Sequence, residues 1–140
     1  MPVEFGVFYT LVGRPGRCSA AANDLSAGGL RIVADEDLPA GSMLALQFSL
    51  PDDFLSSMTI DREVYEDTPF GKRLKSEKRH PHAFEEFGID GKVLAPFFDL
   101  RMRKFAYGIA FVDVPEPVAE ELQRFIHLWQ LNQIRQRNLD

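Results

Sequence analysis

The stretch Asp24-Leu25-Ser26-Ala27-Gly28-Gly29-Leu30-Arg31-Ile32 decides the fold. It reads as the end of one strand, a tight polar turn and the start of the next strand. Leu30 and Ile32 stand two apart, so they share one face of the second strand, and Arg31 falls on the other face. Gly28-Gly29 permits either a backbone with positive φ or another group lying close against the main chain. Asp24 and Ser26 can each accept a hydrogen bond from nearby turn amides. Polar side chains gathered beside two strand ends make a small-ligand or anion site, or else a plain strand-turn-strand corner.

Working outward, Val3, Phe5, Val7, Tyr9 and Leu11 alternate along a first strand over 3–12, and Gly13-Arg14-Pro15-Gly16 is a turn. A second strand, antiparallel to the first, covers 17–24. Leu30 to Ala34 is the third. Asp35 to Gly41 turns, with Pro39 stiffening it. A fourth strand follows over 43–50, with Leu44, Leu46, Phe48 and Leu50 on one face. Ile89 to Leu94 opens a fifth, carried on by Phe97 and Phe98. Phe105 to Asp113 is the sixth, with Phe105, Tyr107, Ile109 and Phe111 on one side and small Ala106, Gly108 and Ala110 on the other. A helix over 115–137 closes the chain, its Val118, Leu122, Phe125, Ile126 and Trp129 recurring at steps of three and four. Residues 52–88 are expected to be an irregular insertion, with 67–83 a long basic loop and a helical turn around Lys72 to Lys78. Pro117 to Arg137 would run about 30 Å at ~1.5 Å per residue, longer than a small barrel covers. Leu128, Leu131 and Ile134 add apolar surface there for a partner protein or a second copy.

Composition narrows the function. A chain of 140 residues with 45% hydrophobic residues fits one domain with one core. The single cysteine, Cys18, cannot form an internal disulfide, so a reducing, cytoplasmic setting is expected. No apolar run reaches the ~20 residues of a membrane span, and there is no signal-peptide pattern. A net charge of −5 argues against a broad surface for a nucleic-acid polymer. Enzyme signatures for zinc proteases, phosphate loops and dinucleotide folds are absent. His80 and His82 have no further ligands that complete a metal site. An enzyme is therefore not expected.

The spelling Asp24-x-Ser26-x-x-Gly29 followed by a short apolar strand resembles the second signature of the PilZ domain. Leu38-Pro39-Ala40-Gly41 before a strand, and Tyr107-Gly108-Ile109-Ala110-Phe111-Val112 before a closing helix, are similar to the same family. The resemblance spans most of residues 3 to 130, with a break near 52–88. It implies a mostly β fold: a small six-stranded antiparallel PilZ-like β-barrel with a long C-terminal α-helix. It also implies a bacterial receptor domain for cyclic-di-GMP.

Members that bind the dinucleotide pair this turn with an Arg-x-x-x-Arg element just before strand one. Only Met1 and Pro2 stand there in this sequence. Arg14 and Arg17 are three apart, and at ~3.3 Å per residue Arg17 lies about 23 Å from Asp24 along an extended strand. The expectation is therefore a domain without a cofactor, working by protein contact in a cyclic-di-GMP-linked motility, secretion or biofilm pathway. Two alternatives stay open. One is a direct receptor using Asp24, Ser26, Gly28, Gly29 and Arg31, with the basic loop as a second source of positive charge. The other is an unrelated structural β-barrel.

Overall fold

The computed structural model describes residues 1–101 and 103–139. Its strands are β1 (Pro2–Leu11), β2 (Cys18–Ser26), β3 (Gly29–Val33), β4 (Met43–Phe48), β5 (Ile60–Thr68), β6 (Gly71–Arg79), β7 (Phe87–Asp99) and β8 (Lys104–Val112). A single helix, α1 (Glu116–Leu139), follows them. Six of the strands close a barrel in the order β1-β2-β3-β8-β7-β4, each antiparallel to its neighbours. The expected six-stranded barrel with a C-terminal helix is the fold.

Alternation fills the barrel. Val3, Phe5, Val7 and Tyr9 point inward from β1, Leu44, Leu46 and Phe48 from β4, and Ile89 and Val93 from β7. The Phe5, Phe48 and Phe87 rings pack in series, with centroids 5.4 and 5.6 Å apart. Outside, Phe8 is roofed by the Arg17 guanidinium, 4.1 Å from its ring centroid.

The helix buries Leu122, Phe125 and Leu128 along one stripe. Phe84 meets Phe125 edge-on at 5.4 Å and lies under the Arg124 guanidinium at 3.9 Å. Leu128 is thus not part of the exposed flank expected of it. It stands three residues after Phe125, and that step keeps it on the buried stripe. Leu131 and Ile134 are exposed, at 40% and 52%. Among the described residues no helix is long and apolar enough to cross a membrane.

Residues 52–83 form a compact unit of their own. Asp53–Ser57 makes a short 3-10 turn, and β5 pairs with β6 without a register break. The irregular insertion expected over 52–88, with a loop over 67–83 and a helical turn at Lys72 to Lys78, is therefore corrected. The charges that suggested a solvated loop face opposite charges across two strands. Glu66 stands across from Arg73, Asp67 from Lys72 and Asp61 from Lys78, while Tyr65 faces Leu74. Arg73 and Glu66 meet at 2.9 Å. Pro69 and Gly71 build a tight hairpin turn, with Gly71 at φ +116. The insertion also stops at Ala83, because Phe87 and Gly88 already belong to β7.

One rim of the barrel is tied by a polar knot. Arg14, after β1, grips Glu36 with two hydrogen bonds of 2.9 and 2.7 Å. The Tyr9 hydroxyl donates to the same carboxylate. Buried Tyr107 accepts from the Leu38 amide at 3.1 Å. Arg14 first, and Tyr9 second, hold the Glu36 carboxyl down at about 2. Burial and then Glu36 push the Tyr9 hydroxyl above its ordinary range.

A carboxyl depressed on folding adds stability above its unfolded value and loses it as pH falls through its folded value. Wild type should therefore lose stability from about pH 4.5 down to about pH 2, the window set by Glu36. Glu36→Gln should be less stable at neutral pH and show a shallower loss across that window, read by urea unfolding at a series of pH values. Matching slopes in the two proteins would remove Glu36 from this role.

Candidate functional site

At the other rim, β2 runs out through the Asp24 corner and returns as β3. The pairing of β2 with β3 skips a residue between Ala22 and Asp24, so Asn23 is an extra residue in the strand. The bulge changes which residues face inward. Ala22 is buried before it and Leu25 after it, which leaves Asp24 and Ser26 outside.

Asp24 accepts from the Met1 amino group at 2.7 Å, and the Leu25 amide donates to the Met1 carbonyl at 3.0 Å. Ser26 donates its hydroxyl to the Gly29 carbonyl at 3.3 Å. Neither side chain binds a turn amide in the way the sequence suggested. Asp24 keeps a carboxylate at the surface, and Ser26 closes its own turn.

Of the two glycines only Gly29 is required by a close approach, since a Cβ on Gly28 would meet nothing within 4 Å. Neither Gly28 nor Gly29 has positive φ. A Cβ on Gly29 would stand 2.1 Å from the Ile109 carbonyl oxygen of β8. The Phe111 amide of β8 donates to the Gly28 carbonyl at 2.9 Å. Gly29 pairs with Ala110 and Arg31 with Gly108 across the same seam.

The outer surface over that seam is a shallow depression of about 290 Å³. Asp24, Ser26, Gly28, Gly29 and Arg31 all line it, so the structure brings together the residues singled out in the sequence. Leu94, Gly108 and Ala110 line it as well and were not singled out. Their signal was the small side of the last strand, Ala106-x-Gly108-x-Ala110; what was missing was the knowledge that β8 lies beside β3. Arg31 holds its guanidinium 4.7 Å from the Phe97 ring centroid. Arg14 and Arg17 are engaged on Glu36 and Phe8 instead. Among the described residues no cluster of His, Cys, Asp or Glu is arranged to hold a metal ion.

The PilZ domain model matches residues 3–128 of the chain. No curated protein matches it. Among solved structures, the chain is similar to the inhibitor of motility MotI/DgrA of Bacillus subtilis, at 16% identity and a TM-score of 0.61, over 94% of this chain and 49% of that one. It is similar to YcgR of Escherichia coli in complex with c-di-GMP, at 13% identity and a TM-score of 0.65, over 99% of this chain and 48% of that one. The PilZ domain of YcgR with c-di-GMP matches at 14% identity and a TM-score of 0.56, over 96% of this chain and 88% of that one. The chain thus spans about half the length of the first two proteins.

The protein belongs to the PilZ domain family. It is, as the family match indicates, a non-catalytic PilZ-type domain linked to c-di-GMP signalling. Two of the three structures hold c-di-GMP, and this overturns the expectation of a domain without a cofactor.

Gly29 has no room for a methyl group against backbone, so relief requires parting β3 from β8. Gly29→Ala should cost about 3 kcal/mol of stability, at the upper end for overpacking, read by urea unfolding. A loss below about 0.5 kcal/mol, the scale of an ordinary surface change, would mean that the seam is not closed as described.

Proposed function

We propose that this domain is a c-di-GMP receptor that binds the dinucleotide on the outside of the barrel, over the seam between β3 and β8. The observation that carries the reading is the convergence of Asp24, Ser26, Gly28, Gly29 and Arg31 on one depression. Two solved structures of this fold with c-di-GMP support it.

The chemistry suits a guanine nucleotide. Asp24 already holds a cationic N–H donor at 2.7 Å, so its oxygens are placed to accept the N–H groups of a guanine edge. Arg31 offers a planar fork of donors for a phosphate or for guanine O6 and N7. Gly29, Gly108 and Ala110 keep the surface between them low.

Isothermal titration with c-di-GMP at moderate salt should give saturable heat at micromolar ligand. Asp24→Ala and Arg31→Ala should each weaken binding about tenfold, or ~1.4 kcal/mol. c-di-AMP, whose adenines lack the guanine donor edge, should bind more weakly, and Asp24→Ala should narrow that gap. A wild-type protein silent toward c-di-GMP rules out the receptor reading.

The exposed end of α1 is the proposed output, a contact with a protein partner of a bacterial signalling or motility system or with a second copy. Leu131 and Ile134 remain exposed there while Leu128 is buried. Self-association is the form that can be measured directly. Sedimentation of wild type should show concentration-dependent assembly that Leu131→Asp with Ile134→Asp abolishes without lowering the melting temperature. A monomer at all concentrations removes the second copy as the occupant of this face.

A further inference from the structure

We infer that the β7–β8 hairpin, where it still lies beside β3, supplies the second wall of this nucleotide site, with Leu94 set against a purine base and Phe97 positioning Arg31. The inference rests on the receptor reading above and assigns residues outside the signature turn.

Beyond Lys92, β7 no longer pairs with β4, and beyond Ala106 toward its start β8 no longer pairs with β3. β8 still pairs with β3 where Tyr107 meets Pro96 and Ala106 meets Phe97, and β7 and β8 run on alone only through Phe98↔Phe105 and Asp99↔Lys104. The ladder skips between Val93 and Pro96, a break at which proline is tolerated. At that break Leu94 leans across β8. Its side-chain carbons lie 3.4–4.0 Å from where a Cβ on Gly108 would stand. Leu94, 47% exposed, lines the depression in contact with water, and Phe97, 37% exposed, lies against Arg31 beside it.

A purine asks for this combination: a flat floor, an apolar edge and a guanidinium plane to stack on or bond to. A free arginine side chain gives up about 2 kcal/mol of rotamer freedom when it is fixed. The Phe97 ring beneath Arg31 orders it before the ligand arrives. Phe97 touches the ligand only through Arg31, so it is a positioning residue, while Leu94 makes direct contact.

Gly108 gives a clean test of the floor. Its φ is unconstrained, and an added Cβ would make ordinary contact with Leu94 at 3.4 Å, so Gly108→Ala should fold as wild type. It nevertheless raises the floor by a methyl group. Titrated with c-di-GMP, Gly108→Ala should lose about tenfold in affinity at an unchanged melting temperature. Phe97→Leu should lose about fivefold, and Phe97→Trp should restore wild-type binding, because an aromatic face and not mere bulk holds Arg31. In an Arg31→Ala background, Phe97→Leu should have no further effect.

Wild-type affinity in both Gly108→Ala and Phe97→Leu sinks the hairpin wall while leaving the receptor reading in place. An undiminished effect of Phe97→Leu without Arg31 sinks the positioning role. No heat with wild type sinks the receptor reading and the wall together.

Discussion

The close approach of β3 to β8 is the constraint on which the rest depends. A barrel of antiparallel strands closes only if its first and last segments meet, and here the meeting is between strands far apart in sequence. Gly29 lets the Ile109 carbonyl come within 2.1 Å of where a side chain would start. The same omission of a side chain lowers the outer surface over the seam. Closure of the core and the shape of the depression over the seam therefore come from one missing Cβ, and neither can be altered without the other.

The two rims of the barrel are built on opposite principles. At the Glu36 rim, Arg14, Tyr9 and Tyr107 tie the turn after β1 to the segment before β4 with charge-assisted and buried hydrogen bonds. At the Asp24 rim there are few side-chain ties. Asp24 and Arg31 stay at the surface, one paired with the chain's amino group and the other lying over an aromatic ring. The rigid rim anchors β1 and β3, and the sparse rim leaves its polar groups available.

The barrel was legible because its strands alternate in plain sight. Val3 to Leu11 and Leu44 to Phe48 carry the period of a half-buried strand in so many residues that no other element fits. The turn at 24–29 was legible as a corner between two strands, and its Asp24, Ser26, Gly28 and Gly29, with Arg31 just after it, line one depression. Two things were hidden. The hairpin of β5 and β6 shows no apolar alternation, and only the pairing of Glu66 with Arg73 and Asp67 with Lys72 turns a basic run into a strand. Leu94, Gly108 and Ala110 were hidden for a topological reason: residues on strands that lie beside β3 only through the barrel's closure, and far from it along the chain, leave no local mark. Leu128 was misplaced by a simpler effect, since the step of three from Phe125 carries it onto the buried stripe.

The extra residue at Asn23 has a consequence for engineering. A strand counted straight from Cys18 would send Asp24 and Ser26 into the barrel and leave Leu25 in water. The inserted position inverts that parity in mid-strand, so the recognition motif is a spelling plus a frameshift of the pleat. Grafting Asp-x-Ser-x-x-Gly onto an unbroken strand of another scaffold would bury the carboxylate among aliphatic side chains. The transferable unit is the whole segment from Ala22 to Gly29, with its irregularity intact.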